Sequence, residues 1–128
     1  MVEGIQKKLE NIGKYGCYFL CLLEGTNHTE LDVLPYYDLL LEKGLIDEQC
    51  TIQDSEAVIK YLTDNLTATY QYSGSLSPNQ YSSNLIIIEH KENGFTHFTI
   101  WKGNNKEWDP LGKSYTKKIH SYRIFKWR

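Results

Sequence analysis

The sequence predicts an α+β fold, with N-terminal helices packed on a C-terminal antiparallel sheet. Three observations carry this. Apolar residues up to Leu62 recur at helical spacing. Beyond Asn65 the texture changes to short β-branched and aromatic runs, broken by Ser, Gly, Pro and Asn. Helices come first and strands second, which argues against alternating β-α-β units. The 128 residues are 41% hydrophobic, which suits one domain, 1–128, with one core.

The elements follow in order. Residues up to Tyr15 are polar and weakly helical, with Ile5, Leu9 and Ile12 at helical spacing and Gly13 and Gly16 as interruptions. Residues 17–23 are apolar all round, as in a buried helix, and Gly25 and Asn27 can end it. Thr29 is a plausible N-cap, with Asp32 three residues on as a partial capping box. Residues 31–43 place Leu31, Leu34, Leu39 and Leu41 near helical spacing, and Gly44 follows as a C-cap. Pro35 requires either that this helix starts there, with the proline in its first turn, or that it is kinked. Asp54 caps a shorter helix from Ser55 to about Leu62, with Ala57, Val58, Tyr61 and Leu62 turned inward. Strands are predicted at 67–72, 85–88, 95–101, 106–108 and 121–127, with a loop at 73–84. The 85–88 strand, Leu-Ile-Ile-Ile, reads as central in the sheet.

Net charge is -2, a balance that gives no long-range attraction to nucleic acid or to an anionic membrane. Residues 113–128 are locally basic, but their charges alternate with Tyr122, Ile124, Phe125 and Trp127, as on a strand with one solvated face. The three cysteines are an odd count, and the N-terminus lacks a basic start followed by an apolar stretch. No apolar run approaches the roughly 20 residues of a membrane span. The expected setting is therefore the reducing cytoplasm, with free thiols and no membrane partner.

Cys17 follows Gly16 where the apolar helix begins. Backbone N–H groups and the helix dipole at that end favour a thiolate, and Gly16 leaves room for a substrate chain. The need is real, because a cysteine of pKa near 8.5 is only about 3% thiolate at pH 7. Cys21 is one turn further in, expected buried and inert. Cys50 follows Asp47 and Glu48, whose charge raises a thiol pKa. As one more small apolar residue, Cys17 would equally suit a plain buried helix. Cys17, Cys21 and His28 match no common zinc spacing, and no metal or organic cofactor is expected.

His97 sits mid-strand, with Phe95, Thr99 and Trp101 on its face. Whether Asp109 reaches it depends on the turn. With a three-residue loop, 103–105, position 102 pairs with 106 and 99 with 109, so Asp109 lies one diagonal step from His97 on the same face. Such diagonals span roughly 7 Å or less. A two-residue loop would put Asp109 on the other face. Pro110 restrains Asp109 to extended backbone. For an oxyanion, the Cys17 N–H is one donor, and Asn11 or Gln6 a second, Asn11 having the better spacing.

An amide residue, Tyr15-Gly16-Cys17 opening a helix, a strand histidine and then Asp109-Pro110 resemble the papain-like, bacteriocin-processing (double-glycine) peptidase family. Tyr15-Gly16-Cys17-Tyr18-Phe19-Leu20 and Lys43-Gly44-Leu45-Ile46-Asp47 also look like a small uncharacterised family associated with phages and bacterial plasmids. The resemblance implies a papain-like fold and a cysteine hydrolase acting on a peptide or protein substrate. It assigns Cys17 as nucleophile, His97 as base, Asp109 as its orienter and Asn11 as oxyanion donor. Two positions depart from the peptidase pattern: Tyr18 replaces the usual glycine after the cysteine, and Asn11 replaces glutamine. They leave open a catalytically silent protein that binds and inhibits a host protein, with Tyr36, Tyr37, Tyr70, Tyr72 and Tyr81 as a contact surface.

Overall fold

Gly16 splits the N-terminal helical stretch into two helices, α1 (Val2–Tyr15) and α2 (Cys17–Gly25). The computed structural model of the chain describes residues 2–64, 69–74, 83–92, 94–103, 106–110, 112 and 119–127. The Gly16 N–H donates to the Ile12 carbonyl at 2.8 Å, and the Leu20 N–H to the Gly16 carbonyl at 2.8 Å. A Cβ at position 16 would lie 2.5 Å from the Ile12 oxygen. Glycine is therefore required by the close fold-back of the preceding turn, which differs from the substrate clearance that the sequence suggested.

α2 is the hub of the core. Phe19, Cys21, Leu22 and Leu23 are buried on it, and it packs against the third strand. A 3-10 turn (Glu30–Asp32) leads into α3 (Val33–Glu42). The Thr29 N–H donates to Asp32 Oδ2 at 2.8 Å, as the capping box predicts. Pro35 stands in the first turn of α3, where its missing N–H breaks no bond. α3 turns Tyr37 and Leu40 inward, whereas Leu31 is 87% exposed and Leu39 is exposed. Leu34 and Leu41 pack half-buried against the core as the spacing predicts, whereas Leu31 does not, because it precedes the α-helix in the 3-10 turn. Ile5 and Leu9 are likewise half exposed, and only Ile12 of the α1 stripe is buried. Gly44 adopts φ +72° and lets the Leu45 N–H close back on the Leu40 carbonyl at 2.9 Å. Asp54 Oδ1 accepts the Ala57 N–H at 3.0 Å and starts α4 (Ser55–Thr63), which buries Val58, Ile59 and Leu62.

Among the described residues, the sheet has five antiparallel strands in the order β1-β5-β2-β3-β4. They are β1 (Thr69–Gly74), β2 (Leu85–Glu92), β3 (Phe95–Gly103), β4 (Lys106–Trp108) and β5 (Ile119–Lys126). β2 lies in the middle, as its apolar run predicts. The described part of the predicted 67–72 strand is β1, and of the predicted loop 73–84 the first two residues belong to β1. Residues 65–68 and 75–82 of those predictions lie outside the described residues. One sheet face presents Leu85, Ile87, Ile100 and Phe125 to the helices, with Phe98 and Trp108 packed beside them. By alternation, the other carries Ile86, Ile88, His90, His97 and Thr99, all buried. The fold is α+β, and no described helix is long and apolar enough to cross a membrane.

Candidate active site

The β3–β4 register decides the site. Ile100 pairs with Trp108 and Trp101 with Glu107, but Gly103, not Lys102, pairs with Lys106. The ladder is bulged between Trp101 and Gly103, and Gly103 takes φ +84°. The bulge absorbs one residue. Beyond it the pairing is the one a three-residue loop requires, which puts position 99 opposite 109. Residues 104 and 105 lie outside the described residues.

His97 and Asp109 consequently meet on the diagonal. His97 Nε2 lies 2.9 Å from Asp109 Oδ1, and both side chains are buried. A second rung repeats this offset one step along: Thr99 Oγ1 donates to Glu107 Oε1, which also lies 2.6 Å from His90 Nε2. β4 has only three residues, so the Glu107 rung pins a strand that a short backbone ladder alone would hold weakly.

Cys17 is partly buried at the start of α2 and is a free thiol, as are Cys21 and Cys50. Its sulfur lies against the backbone N–H groups of Phe98, Tyr18 and Cys17 itself, and within the field of Asp109. Phe98 follows His97 directly, on the part of β3 that β4 does not cover. The structure thus sets the thiol beside the Phe98 amide, one residue along the strand from His97, and within the field of Asp109, while strand alternation projects the His97 ring from the sheet face opposite the one that packs on α2. The Phe98 N–H has no sequence signal, since every residue but proline carries one.

Burial is the largest influence on the Cys17 thiol and pushes its pKa up, overriding the three amides that pull it down. The helix N-terminus therefore does not produce a standing thiolate, contrary to the sequence expectation. Burial also raises Cys21, and it raises Cys50 to about 12, with help from Asp47 as the sequence suggested. Cys50 adds a left-handed backbone, φ 60°, at a buried position. Asn11 is buried, and the Tyr37 hydroxyl donates to the Glu48 carbonyl at 2.6 Å. Tyr37 is only 1% exposed, so it is removed from the predicted tyrosine contact surface. Tyr36 is half-buried, and Tyr70, Tyr72 and Tyr81 lie outside the described side chains.

Residues 3–127 match a family described as "Protein of unknown function, DUF261". The chain belongs to the DUF261 family. No curated protein and no solved structure matches it. The DUF261 match spans both the helices and the sheet, so α2 and the β3–β4 hairpin fall within one family unit. Among the described residues, no group of three or more His, Cys, Asp or Glu side chains is arranged to hold a metal ion.

The raised thiols give a pH prediction. An acid whose folded pKa lies above its unfolded value contributes stability below the unfolded pKa, near 8.5 for cysteine, and loses it as pH rises. Cys17, Cys21 and Cys50 all shift in this direction. The urea midpoint is expected to fall between pH 8 and pH 11, and the fall to be smaller in Cys50→Ala. A midpoint flat over that range would contradict the burial of these thiols.

Proposed function

We propose that this protein is a cysteine hydrolase of papain-like architecture, cleaving an amide or ester bond of a peptide or protein in a reducing, cytoplasmic setting. The observation that carries the reading is the His97–Asp109 bond at 2.9 Å beside a strand step whose amide faces the Cys17 sulfur. Because burial keeps Cys17 protonated, the thiol needs a base at the moment of attack. His97 takes the S–H proton as sulfur bonds to the carbonyl carbon. Asp109 holds the ring and stabilises the imidazolium. The Cys17 N–H, with the Asn11 amide six residues upstream, meets the oxyanion. Collapse of the adduct breaks the bond to the leaving group, which receives the proton from His97. Water, deprotonated by His97, then cleaves the thioester and restores the thiol.

A second reading has specific support. The raised Cys17 thiol and the bulky Tyr18 suit a silent scaffold that binds and inhibits a host protein. p-Nitrophenyl acetate separates the two. The hydrolase reading expects nitrophenolate release through an acetyl group carried on Cys17 and then lost to water, abolished in Cys17→Ser. Release that is equal in Cys17→Ser, or no acetyl on Cys17, overturns it in favour of the binding protein.

A further inference from the structure

We propose that Arg123 forms an anion subsite beside Cys17, so that the favoured substrate carries a carboxylate next to its scissile bond. This rests on the hydrolase reading above. The Arg123 guanidinium carbon lies 4.8 Å from the Tyr18 ring centroid and 4.9 Å from that of Phe98. Tyr18 follows Cys17 in the chain and Phe98 follows His97. Their own rings are 4.7 Å apart, and the Tyr18 hydroxyl is tied to Ser55 Oγ at 2.7 Å. Two aromatic faces thus hold the guanidinium, and they belong to the residues next in the chain to Cys17 and His97. Stacking restrains a planar cation while leaving its N–H edges free for an acceptor.

The local charges fit. Among the described residues, the ionic partner of Arg123 is Glu89, at 3.7 Å, beyond hydrogen-bond reach. Glu89 is already engaged: its Oε1 accepts the Ser121 hydroxyl at 2.8 Å and lies 4.0 Å from His120. Glu89 thus balances the guanidinium without saturating its donors. The Arg123 side chain is 27% exposed, so solvent and ligand can reach it. A planar carboxylate is the acceptor that matches a guanidinium edge with two parallel bonds.

The tests are dithiobis(nitrobenzoate), whose carboxylates flank the reacting disulfide, and neutral dithiodipyridine. Rates at Cys17 are read by mass mapping and expressed as a charged-to-neutral ratio, normalised to a small free thiol. Arg123→Gln is expected to lower the ratio about fivefold, the upper range for a partly exposed ion pair. Arg123→Lys should retain most of it, and Glu89→Gln should raise it by releasing the guanidinium, a measurement that stands even if Arg123→Gln fails to fold. If Cys17 outpaces Cys21 and Cys50 with both reagents but neither Arg123→Gln nor Glu89→Gln moves the ratio, the subsite is overturned and the hydrolase reading stands. If Cys17 is no faster than the other two thiols in the unaltered chain, the hydrolase reading falls and the subsite with it.

Discussion

His97→Ala is expected to slow iodoacetamide labelling of Cys17 at pH 7 by about a hundredfold, the lower range for loss of a positioned general base. The reason lies in the two sides of the site. Burial holds the thiol protonated, so attack depends on a neighbour that accepts its proton. With the ring gone, only hydroxide remains, and labelling should climb about tenfold per pH unit on the alkaline side. Asp109→Asn should lie between, because the amide keeps the volume but replaces the carboxylate that holds the His97 ring. The decisive measurement is the Cys17 rate across pH 6–10 in all three proteins. Equal rates for the unaltered chain and His97→Ala would remove the imidazole from the site.

Gly16→Ala is expected to destabilise the fold by about 3 kcal/mol, at the upper end for forced overpacking, and to lose the enhanced labelling of Cys17. The new methyl would meet the Ile12 carbonyl, a backbone atom that moves only if the junction of α1 and α2 opens. Opening it shifts the start of α2, and with it the approach of Cys17 to the Phe98 amide. Urea unfolding gives the first effect and labelling the second. An alanine variant as stable as the original would mean that the close approach at 2.5 Å relaxes without strain.

How much of this was legible in the sequence differs from residue to residue. The diagonal between His97 and Asp109 followed from counting across a loop, because strand alternation leaves only two choices of face. Capping at Thr29 and Asp54 was legible for a similar reason, since short side chains bond to amides two or three residues away. The α3 face was only partly so. Leu31 fits a helical period but precedes the α-helix in a 3-10 turn, and Tyr37 is buried by a hydroxyl bond to Glu48 that crosses between segments. The partners of Glu107, His90 and Thr99, were equally silent, because each looks like an ordinary strand residue until β2, β3 and β4 are side by side.

The sequence by itself determined the order of elements and the class of fold, set by interactions within a few residues along the chain. It left the hairpin register open between two loop lengths, and the bulge between Trp101 and Gly103 decided it. Tertiary structure alone decided the raised pKa of the Cys17 thiol, the burial of Asn11 and Tyr37 and the seat of Arg123 on two aromatic rings. Desolvation and stacking depend on what the rest of the chain brings alongside, and no local pattern of residues encodes that distance.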